Sequence, residues 1–174
     1  MGTKEKVGEF LKGIARWIPG IGSYQDKEAA READKALREG IAKKLDELLG
    51  AVEWLKTDQA KKGAYKHLKA MDDLARDLEK LSRMIEMAAR GYAPVFAQWK
   101  ADEDSLMRLY RHDLGMWDLV AEVEMEIERI TRDRAIPKTD EIEEIRLLLR
   151  RLEKMVGDRE LVFKEWTQPA DKTT

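Results

Sequence analysis

The 174-residue chain has no cysteine. That excludes disulfides, thiolate zinc sites, iron–sulfur clusters and a cysteine nucleophile. Proline and glycine are sparse, 4 and 11, too few to punctuate a sandwich or barrel of many short strands. Charge of one sign is also lacking. Lys and Arg total 33 against 35 Asp and Glu, a net charge of −2, so no whole-chain field attracts nucleic acid. Apolar runs such as Leu147-Leu148-Leu149 fall far short of the ~18 residues a membrane-spanning helix needs. The first residues, Met1-Gly2-Thr3-Lys4-Glu5-Lys6, mix charges, so no apolar leader core is expected. Lys6 stands where a myristoylation signal after Gly2 wants Ser or Thr.

What is present reads as helix. Hydrophobic residues make up 43% and charged residues 39%, enough for a packed core under a highly charged surface. Over residues 4–18, Val7, Phe10, Leu11, Ile14 and Ile18 fall on one helical stripe with Trp17 at its edge. Pro19-Gly20-Ile21-Gly22 ends that helix and hinges it off the rest. Ser23 and Asp26 resemble a capping box opening a second helix that runs to about Lys56 along Ala30, Ala33, Leu37, Ile41, Leu45, Leu48, Val52 and Leu55. A polar break over 57–63 precedes a third helix, ending near Arg90, with Leu68, Met71, Leu74, Leu78, Leu81, Ile85 and Ala88 on its stripe.

The apolar, aromatic stretch 91–99 contains Pro94 and reads as a turn plugging one bundle end. Asp102 or Asp104 then caps a fourth helix whose stripe is Leu106, Tyr110, Asp113, Trp117, Val120, Glu124, Ile127 and Ile130. Thr139 is the expected N-cap of a fifth helix through Ile142, Ile145, Leu149, Leu152 and Val156, bending near Gly157 and reaching Trp166. The expected organisation is an amphipathic helix and hinge over 1–22, a helical bundle over 23–167 and a disordered tail over 168–174. The fold class is all-α, a four-helix bundle-like core of long, coiled-coil-like helices with an N-terminal amphipathic helix.

No catalytic seat is visible, and no cofactor or metal is expected. His67 and His112 have Ala64 and Leu109 three residues before them, so the Glu-x-x-His pairs of ferritin-like di-iron bundles are missing. Glu122, Glu124, Glu126 and Glu128 alternate. Alternate positions on a helix diverge by about 200°, so these carboxylates form a solvated face pairing with Arg129 and Arg132 rather than a metal site. Asp113 is the exception, a carboxylate on an apolar seam. A buried carboxylate needs a partner; Arg31 or Arg90 could supply it. The favoured reading is a structural ion pair fixing helix register. The alternative is a small-molecule pocket formed by Tyr92, Trp99, Tyr110 and Asp113.

The strongest functional signal is the stripe Val7, Phe10, Leu11, Ile14, Trp17 and Ile18. With flanking lysines it suits an interfacial helix, and each buried large side chain contributes roughly 1.5 kcal/mol or more. The same stripe could instead pack on the bundle or on a second copy.

Two stretches carry a resemblance. They are Pro19-Gly20-Ile21-Gly22-Ser23-Tyr24-Gln25-Asp26-Lys27-Glu28 with Arg31-Glu32-Ala33-Asp34-Lys35-Ala36-Leu37-Arg38, and Gly91-Tyr92-Ala93-Pro94-Val95-Phe96 with Leu106, Leu109, Tyr110 and Asp113-Leu114. Together they resemble a bacterial all-helical family whose members often accompany band-7 (SPFH) membrane scaffold proteins. The resemblance covers most of the chain, with Pro94 and Trp99 departing at the turn. It implies a helper at the membrane, no activity, and a band-7 scaffold as partner.

The function expected from all this is a non-enzymatic adaptor or scaffold, membrane-peripheral through its N-terminal helix and cytoplasmic, at the inner face of the membrane. The alternative is a soluble homo-oligomeric assembly module whose N-terminal helix packs between subunits. Either way other proteins and a homo-oligomer are the expected partners, with no nucleic acid.

Overall fold

The structure, a computed structural model, describes residues 27–88, 103–132 and 136–167, with side chains over 35–87, at 108, and over 111–132 and 136–159. Four α-helices and one 3-10 turn make up the regular structure of these residues. They are α1 (Lys27–Lys61), the 3-10 turn (Tyr65–His67), α2 (Leu68–Ala88), α3 (Glu103–Arg132) and α4 (Thr139–Thr167). Among the described residues there is no strand. The chain is all-α. The amphipathic segment 4–18, the hinge, the stretch 91–99 and the tail 168–174 lie outside the described residues.

The apolar stripes account for the packing. Leu37, Ile41, Leu45, Leu48, Val52 and Leu55 of α1 are buried, as are Met71, Leu74, Leu78, Leu81 and Ile85 of α2. From α3 come Met116, Trp117, Leu119, Val120, Val123, Ile127 and Ile130, and from α4 Ile142, Ile145, Leu149, Leu152 and Val156. All belong to one core. Each helix packs on two others: α1 on α2 and α3, α4 on α2 and α3.

Polar contacts fix the directions. Ser82 donates to the Ala42 carbonyl and Lys56 pairs with Asp72, so α1 and α2 are antiparallel. Arg129 pairs with Glu141 and Arg159 with Asp113, so α3 and α4 are antiparallel too. Between hairpins, His67 meets Thr139, Asp77 meets Arg146 and Lys80 meets Glu153, so α2 runs parallel to α4. It follows that α1 runs parallel to α3. The two hairpins lie side by side pointing the same way. Both connections, α1 to α2 and α3 to α4, are at one end of the bundle, the turn end. At the other, the open end, the chain enters α1, leaves α2, enters α3 and leaves α4.

Three local expectations need correction. The second predicted helix runs five residues past Lys56, to Lys61. Thr57 through Ala60 is polar but contains no helix breaker. Thr57 bonds back to the Glu53 carbonyl, and Gln59 continues the Val52–Leu55 stripe and is buried. Termination waits for Gly63, whose φ of 73° is a left-handed conformation that glycine adopts without a Cβ clash. The Ala64 N–H then bonds the Gln59 carbonyl and the Gly63 N–H bonds the Ala60 carbonyl, the paired pattern of a Schellman ending.

The second correction concerns α4, whose cap is not made by Thr139. Thr139 is already helical, and its hydroxyl lies 3.1 Å from His67 Nδ1. Lys138 occupies the cap, where its backbone N–H donates to Glu141 Oε2 at 2.8 Å, the return half of a capping box. Pro137 and Ile142, the two flanking staple positions, are both buried. The helix also runs through Gly157 as one element.

The third is on α3. Glu124, expected on the apolar stripe, is only half-buried and accepts from Lys44 Nζ at 2.9 Å, while its neighbour Val123 is in the core. Burial alone would lower the Lys44 ammonium, but Glu124 and then Glu47 outweigh it and hold it above its ordinary value.

Candidate functional site

The buried charge lies toward the open end. On α3, Asp113, Val120 and Ile127 recur every seven residues; on α4, Ile145, Leu152 and Arg159 do the same. A helix keeps such positions on one face, so both ionised residues point into the core. Asp113 is 0% exposed and Arg159 2%. Arg159 donates from Nε to Asp113 Oδ1 at 2.7 Å and from Nη2 to Oδ2 at 2.9 Å. This is the two-pronged geometry that suits a guanidinium and a carboxylate. Burial alone would raise the Asp113 carboxyl, but Arg159's charge and hydrogen bonds overcome that and hold it below the ordinary carboxylate range. Among the buried described residues of α3 and α4 these two are the only charged ones.

Three polar neighbours lie toward the same end. His112 is half-buried with Nδ1 3.8 Å from Asp113 Oδ1, too far for a hydrogen bond. Trp117 follows one turn along α3, and Arg38 stands on α1 one turn before Ala42; both are buried.

This site gives Asp113 a described partner. Its burial is as expected, and among the described residues Arg159 pairs with it. The Arg31 side chain and residue 90 lie outside the described residues. Arg159 extends the Ile145–Leu152 repeat by one heptad, and that spacing was the signal that could have found it. Of the proposed pocket, Tyr92, Trp99 and the Tyr110 side chain lie outside the described residues, leaving Asp113 alone in view. Val7, Phe10, Leu11, Ile14, Trp17 and Ile18 lie outside them as well.

The remaining candidates resolve into surface pairs. Glu126 holds Arg129, Glu128 holds Arg132, and Glu141 also accepts from Arg129. The Lys138 N–H and then Arg129 keep the Glu141 carboxyl below its ordinary range. Among the described residues no three His, Asp or Glu side chains converge as a metal site would need. A groove of about 190 Å³ between α2 and α4 has Leu81 and Leu149 in its lining. Asp77–Arg146 and Lys80–Glu153 also line it and satisfy both of its carboxylates. Among the described residues no helix is long and apolar enough to cross a membrane.

Gln59, at the turn end, was missed altogether. It is 0% exposed, and neither amide atom has a hydrogen-bond partner among the described residues.

Fold and site together define an all-α protein whose described residues form four helices, with a buried ion pair in an otherwise apolar α3–α4 seam. Compared with protein-family models, with curated proteins and with solved structures, the chain finds no match.

Proposed function

We propose that the protein is a non-catalytic helical adaptor or scaffold that works at a membrane surface through residues 4–18. One observation carries the reading: the four described helices bury their apolar stripes in one shared core. Their outer faces carry charges tied in pairs such as Lys44–Glu124, Arg129–Glu141 and Arg146–Asp77. Such pairs add little stability but keep a surface soluble and selective. A second apolar stripe, Val7, Phe10, Leu11, Ile14, Trp17 and Ile18, precedes this bundle across a Pro-Gly joint. An amphipathic helix of that kind lies in the headgroup layer. The partner class that the resemblance implies is a band-7 scaffold, which co-purification with such a protein would test.

Sedimentation with vesicles of phosphatidylcholine and anionic lipid tests the membrane role. The intact chain is expected to pellet with vesicles and a chain lacking residues 1–20 to stay in solution. Equal partitioning of the two ends the proposal.

A soluble homo-oligomer is the second reading, and a separate observation favours it. Met125 of α3 and Leu147 of α4 are 40% and 54% exposed, each an apolar side chain on the outer face of its helix that a subunit contact would cover. Light scattering should then show the oligomer, with loss on removing residues 1–20 if the N-terminal helix bridges subunits.

A further inference from the structure

The open end of the α3–α4 hairpin is held differently from its middle, and this has a dynamic consequence. In the register set by Asp113–Arg159 and Arg129–Glu141, Val120 lies level with Leu152 and Ile127 with Ile145. Moving from the turn end outward, the layers are therefore aliphatic, aliphatic, then ionic. Parting an aliphatic layer exposes apolar surface with nothing gained in return. Parting the ionic layer breaks the short Arg159–Asp113 hydrogen bonds but returns a carboxylate and a guanidinium to water. That recovers most of the desolvation cost of burying them.

The geometry permits such parting. The turn joining α3 to α4 is at the far end, so no short connection ties Asp113 to Arg159 across the seam. Gly115 sits between them and the next layer. A Cβ there would come within 3.1 Å of the Met155 methyl, so the packing just inside the pair is already close. The next buried residues inward are Met116 and Val156, where an all-apolar seam begins.

We infer that the open end is a separate opening unit. The α3 and α4 segments outside the Met116–Val156 layer part and rejoin while the rest of the bundle stays closed, with Asp113–Arg159 as the catch. The structure assigns this layer the role because, among the described residues of the seam, it is the place where water competes well with the protein for the groups buried there.

Native-state hydrogen exchange of the intact chain tests it. In the wild type, amides of residues 110–115 and 157–160 should exchange through an opening reached at least about tenfold more often than that of residues 120–127 and 145–152. Equal protection along both helices overturns the proposal. Replacing the pair by apolar residues, Asp113→Leu with Arg159→Met, should raise protection at the open end toward that of the middle. Asp113→Asn should lower it there and leave residues 120–127 unchanged. A double substitution that folds but leaves the open end exchanging as in the wild type also overturns it. So does an Asp113→Asn effect spread evenly along the helices.

Discussion

The turn end of the bundle is closed by backbone and aliphatic groups, with Gln59 as its one buried amide among the described residues. Gly63 supplies the left-handed residue, the Gln59 and Ala60 carbonyls are taken up by the Schellman pair, and Glu141 caps α4 through the Lys138 N–H. Leu55, Met71, Ile130 and Ile142 fill the space behind. Toward the open end the corresponding space holds Arg38, Asp113, Trp117 and Arg159. One end is fixed by chain connectivity and by shape; the other depends on charge complementarity between helices joined only far away. Similar helices with the same apolar period therefore end in layers of very different cohesion.

Substitutions can break or sharpen that contrast. Leu55→Ala at the turn end should cost about 4 kcal/mol, the transfer loss plus a cavity, read as a lower midpoint in urea for the whole chain. Asp113→Leu should cost about 3 kcal/mol, because it leaves a buried guanidinium without its carboxylate. Here much of the loss should appear as exchange near the open end rather than as a shift in global unfolding. The ionic layer should also respond to acid. Because the folded Asp113 carboxyl is depressed, the pair's contribution is full above the unfolded value of about 3.9. It fades as pH falls through the lower folded value. Acid titration of the wild type against Asp113→Leu should therefore show their difference shrinking only below about pH 4.

Gln59→Met should stabilise by about 1–2 kcal/mol, since it removes a buried amide without hydrogen bonds and keeps the side-chain volume. A melting temperature unchanged or lower would show that the amide is engaged. Gly63→Ala is the smallest, costing about 1 kcal/mol. The added Cβ meets open space, so the cost comes from the backbone conformation alone.

The elements were legible in the sequence because each buried stripe repeats at helical spacing, and Leu37 to Leu55 or Ile142 to Val156 can be read residue by residue. The register between helices was not. Periodicity says that Asp113 faces inward; it does not say which helix stands opposite, and that depends on where both turns fall. Arg159 was passed over because an arginine near a helix end is ordinarily on the surface. The cap of α4 was misplaced because Thr139 has a capping side chain, whereas Glu141 provides the bond from three residues further on. Gln59 was lost in the same way: Thr57 to Gly63 is polar in composition, and only the fold shows that one member of the run is inside. The six residues of the N-terminal stripe, by contrast, are legible as a pattern while their surroundings lie outside the described residues.

The parallel stacking of the two hairpins gives the molecule a polarity. Residues 1–26, 89–102 and 168–174 all join the bundle at the same extremity, and both tight connections sit at the opposite one. With 30 residues in α3, the separation between extremities is about 45 Å. The proposed attachment through residues 4–18 is therefore made at one extremity, and Gly63 and Pro137 mark the opposite one, farthest along the helices from it.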